Sequence, residues 1–128
     1  MTSIYVLFLA LVMAATPQPV MRGKATYYAE PYIGREMRNG EIYTGQEMTC
    51  AVSSDRWDEL QGTTLRVCVQ PVSIPYKLRC IEVVVTDTGP TEVWQEYGVV
   101  VDLSVAAFRA LVGPLGIGVA EVEVWRVE

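Results

Sequence analysis

The sequence predicts an all-β protein, a small barrel with one or two short helices. Three observations predict it. Apolar, β-branched runs of strand length recur along the chain, punctuated by Gly, Pro and an Asn-Gly pair. Two of them, Thr64 to Val69 and Arg79 to Thr86, register against each other as a hairpin. Only the stretch from Asp102 to about Val112 has a sustained helical pattern. Many short strands leave many edges, and closing them into a barrel removes those edges.

Residues 1–16 read as a leader. Ile4 to Ala15 is apolar, too short to span a bilayer comfortably, and ends in the small pair Ala14-Ala15. No Lys or Arg precedes it, so a retained N-terminal anchor is the rival reading. A cleaved leader makes the protein secreted, periplasmic or wall-associated and leaves about 110 residues, enough for one modest core. Residues 17–22 are a Pro-punctuated lead-in, and residues 23–128 form the barrel domain.

Gly23 to Ala29 is the first strand, with Ala25, Tyr27 and Ala29 on one face. Tyr27 and Tyr28 point to opposite faces, so at most one packs inward and the other is open to a sugar ring or to solvent. Glu30 to Glu47 is a loop holding Pro31, Gly34, Asn39-Gly40 and Gly45. Met48 to Val52 is a short apolar element. Ser53 to Gly62 is a polar excursion with room for one helical turn.

The hairpin follows. Placing Cys68 opposite Cys80 sets Arg66 against Glu82, Val67 against Ile81 and Leu65 against Val83. The two thiols then lie on the outer face, placed either to bridge or to stay reduced, and Cys50 is left over as a free thiol. Continuing this row, Asp87 shares the core-facing side of Ile81, Val83 and Val85. It emerges only where the strand ends at Gly89-Pro90. A carboxyl at such a boundary can have a raised pKa and act as an acid; it can equally serve an Asx turn.

Thr91 to Tyr97 is a loop whose Trp94 and Tyr97 either line a cleft or cover the barrel end. Gly98 to Val101 is a strand. The helix opens at Asp102-Leu103-Ser104, with Asp102 or Ser104 as N-cap, and Gly113-Pro114 stops it. Gly118 to Val127 is the last strand, with Ala120, Val122 and Val124 in phase.

The net charge of −5 argues against a nucleic-acid partner, which demands a basic face. The chain has no His and its three Cys lack paired spacing, so no metal site or cofactor is expected. A stable membrane partner is expected only if the leader is retained, and a monomer is expected.

Taken in order, Gly23-Lys24-Ala25-Thr26-Tyr27-Tyr28-Ala29, Asn39-Gly40-Glu41, Met48-Thr49-Cys50-Ala51, Val85-Thr86-Asp87-Thr88-Gly89-Pro90 and Asp102-Leu103-Ser104-Val105-Ala106-Ala107-Phe108 resemble the rare lipoprotein A family of lytic transglycosylases, related to expansins. The resemblance spans about Gly23 to Val127. It implies a six-stranded double-psi β-barrel with a groove across one side. It implies cleavage of peptidoglycan glycan strands to 1,6-anhydro products. Asp87 matches that family's catalytic aspartate, and Asp102 the aspartate of its Asp-Leu-Ser segment. Tyr27, Tyr28, Thr86, Trp94 and Tyr97 are the candidate substrate-binding residues. One departure matters: the family's His falls at Val52.

In such chemistry one carboxyl protonates the glycosidic oxygen, and the resulting carboxylate takes a proton from the muramic acid 6-hydroxyl as that oxygen closes onto C1. Hydrolytic glycosidases usually need two carboxylates at set separations. The expected roles are Asp87 as acid/base and Asp102 as electrostatic partner. The alternative is a non-catalytic, expansin-like wall-binding or wall-loosening module. A third reading leaves a structural or partner-binding barrel, with both aspartates in turn and cap duties.

Overall fold

The structure, a computed structural model, describes residues 17–70 and 77–127. The leader expected over residues 1–16 and most of the hairpin connection lie outside the described residues.

Six strands close into one barrel. They are β1 (Met21–Tyr28), β2 (Thr49–Val52), β3 (Thr64–Val69), β4 (Arg79–Thr88), β5 (Val99–Ser104) and β6 (Ala120–Arg126). Around the barrel the order is β1-β5-β2-β4-β3-β6. The β1–β5 and β2–β4 pairs are parallel and the other four antiparallel. Three short helices are described, α1 (Trp57–Leu60), α2 (Glu92–Glu96) and α3 (Val105–Leu111), one more than the sequence pattern predicts. The extra one is α2, a single turn in the segment read as a loop.

The core is what alternation requires. Leu65, Val67, Val83, Val85, Val101 and Val124 point inward, each at most 1% exposed. Helix α3 closes one side with Ala107, Phe108 and Leu111, all fully buried. The hairpin register is the one read from sequence, residue for residue, and Arg66 meets Glu82 at 3.4 Å. Cys68 and Cys80 form a disulfide, and Cys50 is a free, buried thiol.

Three boundaries differ from expectation. β1 starts at Met21, inside the lead-in, because residues 21–25 pair with β6. β4 runs two residues further and takes in Asp87 and Thr88. Asp102 belongs to β5, where it pairs with Thr26 and Ala51, so α3 begins three residues later than predicted. Ser104 is the N-cap: its Oγ accepts from the Ala107 amide at 3.1 Å and donates to the Glu47 carbonyl at 2.6 Å. Among the described residues no helix is long and apolar enough to cross a membrane.

Candidate functional site

A groove of about 620 Å³ crosses the ends of β1, β5, β2 and β4. Its floor follows from register. Thr26 pairs with Asp102, Asp102 with Ala51, and Ala51 with Asp87. Directly paired residues share a face, so these four side chains form one row across four strands. Strand spacing places the two aspartate backbones about 10 Å apart, with the methyl of Ala51 between them. Opposite Ala51 lies Gly89, where an added Cβ would come within 3.5 Å of the Ala51 Cβ and 3.9 Å of Asp102 Oδ2.

Asp87 reaches this row by a route that plain alternation does not predict. In β2–β4, Cys50 pairs with Val85 but Ala51 pairs with Asp87. Thr86 is the extra residue of a bulge. A one-residue insertion flips every later side chain to the other face. Asp87 thus leaves the core-facing row of Val83 and Val85 and joins Ala51 on the groove side, which corrects the expectation that it starts from the apolar face. Its Oδ1 accepts from the backbone amides of Arg38 at 2.9 Å and Thr88 at 2.8 Å.

Asp102 is the more enclosed carboxyl. Burial pushes its pKa up to about 6; the Thr26 hydroxyl, donating to Oδ1 at 3.0 Å, works against that rise, and the Asp87 charge adds to it. The group poised to hold a proton near neutral pH is therefore Asp102, whereas the sequence assigned the acid role to Asp87. Nor does Asp102 cap the helix.

The walls come from the loop 29–47 and from α2. Of the two tyrosines of β1 only Tyr27 packs on the barrel core, as alternation requires, but Tyr28 on the opposite face is covered by the loop rather than left open. Tyr27 lies against Phe108, with ring centroids 4.9 Å apart. Tyr28, 7% exposed, stacks on Tyr43 at 4.2 Å beneath the loop. Both still border the groove, and the Tyr28 hydroxyl is buried beside the Thr49 hydroxyl. Tyr32 and Trp94 line the groove with about half of their surface exposed.

Two predicted binding residues lie elsewhere. Thr86 is buried, its hydroxyl against the Met37 sulfur at 3.3 Å, because the bulge leaves it under the loop. Tyr97 stands outside the groove lining, flanking Trp94 at 6.3 Å, since the turn of α2 carries it past the rim. Val52, in the place of the family His, faces the barrel core and is fully buried. The sequence reading missed Thr26, Ala51, Glu30 and Tyr32 as groove residues. The first two stood within quoted motifs; for Tyr32 no local signal existed, since only the folded loop carries it to the rim. Among the described residues no group of His, Cys, Asp or Glu is arranged to hold a metal.

No protein-family model matches the chain, and no curated protein does. Solved structures do. The Streptomyces papain inhibitor matches with a TM-score of 0.62 and 24% identity, over 84% of this chain and 94% of its own. The expansin of Clavibacter michiganensis matches as a mutant in complex with cellohexaose (TM-score 0.62, 25% identity) and as the apo protein (0.60, 26%). Each expansin match covers 84% of this chain and 50% of the expansin, so this chain spans about half of that protein's length. The shared architecture is the double-psi β-barrel, with an expansin-like course of the chain.

Proposed function

We propose that this protein is an expansin-like module that binds cell-wall polysaccharide in the groove. The observation that carries the reading is the floor itself, two carboxylates on either side of Ala51, walled by half-exposed Tyr32 and Trp94. Carboxylates accept hydrogen bonds from sugar hydroxyls, and exposed aromatic rings cover the apolar faces of pyranose rings. A cleft of this size suits a few sugar units. Support comes from the expansin neighbour that was solved with cellohexaose. On this reading the protein is exported and acts as a monomer on wall glycan, with peptidoglycan the polymer named by the sequence resemblance.

A second reading, lytic transglycosylase, is favoured by one observation: a carboxyl with a pKa of about 6 beside a second carboxylate. In that version Asp102 donates its proton to the glycosidic oxygen as the C1–O bond breaks. The muramic acid 6-hydroxyl oxygen then bonds to C1, and its proton returns to Asp102. Asp87 stabilises the positive charge that develops at C1. The buried Val52 supplies no proton donor or acceptor.

Mass spectrometry of soluble products, with cosedimentation on wall sacculi, tests both. Peptidoglycan is used intact and stripped of stem peptides. Sacculus binding without product establishes the module. Anhydro-sugar products from the wild type, absent with Asp102→Asn and with Asp87→Ala, establish catalysis. Neither binding nor product sinks both readings and leaves a structural or partner-binding barrel.

A further inference from the structure

The charge of the groove is one-sided. Its lining holds Glu30, Asp87 and Asp102, and among the described residues no Lys or Arg lines it. Three cations outside the lining hold other partners. Arg35 lies over the Tyr32 ring at 5.7 Å, Arg38 over the Trp57 ring at 5.0 Å, and Lys24 donates to the Tyr97 carbonyl at 3.1 Å. The net charge of the chain, −5, has the same sign as the groove. A concave, low-dielectric wall of one sign concentrates ligands of the other and repels its own. A glycan bearing carboxylates would meet Glu30 and Asp87, joined by Asp102 as pH rises through about 6, without a neutralising partner in the lining, whereas a neutral glycan would bury those charges against hydroxyls alone.

We infer that the groove selects β-linked glycan with free amino groups, that is, glucosamine units lacking the N-acetyl group, over neutral or carboxylated glycan. An ammonium on the sugar C2 meets a carboxylate as a charge-assisted pair, and aspartate backbones about 10 Å apart on the two sides of Ala51 suit amines one disaccharide repeat apart along the floor. The inference rests on the reading of the groove as a polysaccharide site and names the class of chain it takes.

The test is titration calorimetry at low and high salt with four oligosaccharides of matched length: glucosamine hexamer, N-acetylglucosamine hexamer, cellohexaose and a carboxylated cello-oligosaccharide. The amino hexamer is expected to bind roughly tenfold tighter than the neutral two at low salt, and the carboxylated one most weakly. High salt and the Asp87→Asn/Asp102→Asn pair are both expected to erase the amino preference. Glu30→Gln, at the rim, is expected to reduce it in part. Circular dichroism establishes that each variant is folded. Equal affinity for amino and neutral hexamers overturns the charge selection while leaving polysaccharide binding in place. An amino preference that survives the double variant overturns it too, because the attraction then belongs to the acidic surface at large. No binding of any oligosaccharide overturns the groove reading itself. Cosedimentation with sacculi before and after chemical de-N-acetylation, set beside chitosan, distinguishes the two polymers that offer the same amine.

Discussion

Asp102 is a carboxyl placed where its charge is disfavoured. Its folded pKa of about 6 stands above the ordinary 3.8. Between those values the native state holds a proton that the unfolded chain has lost, so this group makes the protein more stable as pH falls from about 7 to about 4. The contribution is lost as pH rises through 6. The two-unit gap corresponds to at most about 3 kcal/mol, and opening onto the groove reduces it to on the order of 1–2 kcal/mol. Urea unfolding at pH 7 and pH 4.5 is expected to show that slope in the wild type and a smaller one in Asp102→Asn. Thr26→Val removes the hydroxyl that favours the charged form, so the Asp102 pKa is expected to climb above 6 in a carboxyl-carbon NMR titration. At this scale the sequence revealed the two aspartates at the ends of apolar runs but not that Asp102 is the one enclosed. Burial of a carboxyl is decided by what other strands bring over it, and no local window contains that.

At the scale of elements, the groove depends on how the loop 29–47 is pinned. Tyr43 Oη donates to the Tyr28 carbonyl at 2.6 Å and accepts from the Val105 amide at 3.1 Å, while its ring stacks on Tyr28. Met37 and Tyr43 are buried with Tyr28 and Ala51 as a small cluster outside the barrel core. Tyr43→Phe keeps the ring but leaves a carbonyl and an amide unpaired. It is expected to cost about 1–3 kcal/mol. Hydrogen exchange over residues 30–47 should speed up more than exchange in β3 or β6. The hairpin of β3 and β4 was legible because apolar rows, an Arg66–Glu82 pair and two cysteines agree on one register. The bulge at Thr86 was not, because it is a property of β4 against β2, and the alternation of β4 read alone carries no mark of it.

For the whole molecule, closure of the barrel joins distant segments, and the disulfide ties one side. Cys68 and Cys80 are 12 residues apart in sequence, so the bond restricts a short loop of the unfolded chain. The paired substitution Cys68→Ser and Cys80→Ser is expected to lower stability by about 2–3 kcal/mol in urea unfolding. Groove binding should persist, since the disulfide joins β3 to β4 at the end away from Asp87. Five strands, their approximate limits and most core faces were determined by the sequence itself, through period-two alternation, turn residues and the helix stop at Gly113-Pro114, while β2 was legible only as a short apolar element. The ordered motifs carried the fold as a resemblance. What only the tertiary structure decided is the site: the row Thr26, Asp102, Ala51, Asp87 draws on four strands that are far apart in the chain. Their register, the flip of Asp87 to the outer face and the burial of Asp102 all arise from pairing between those strands, an interaction that exists only once the barrel has closed.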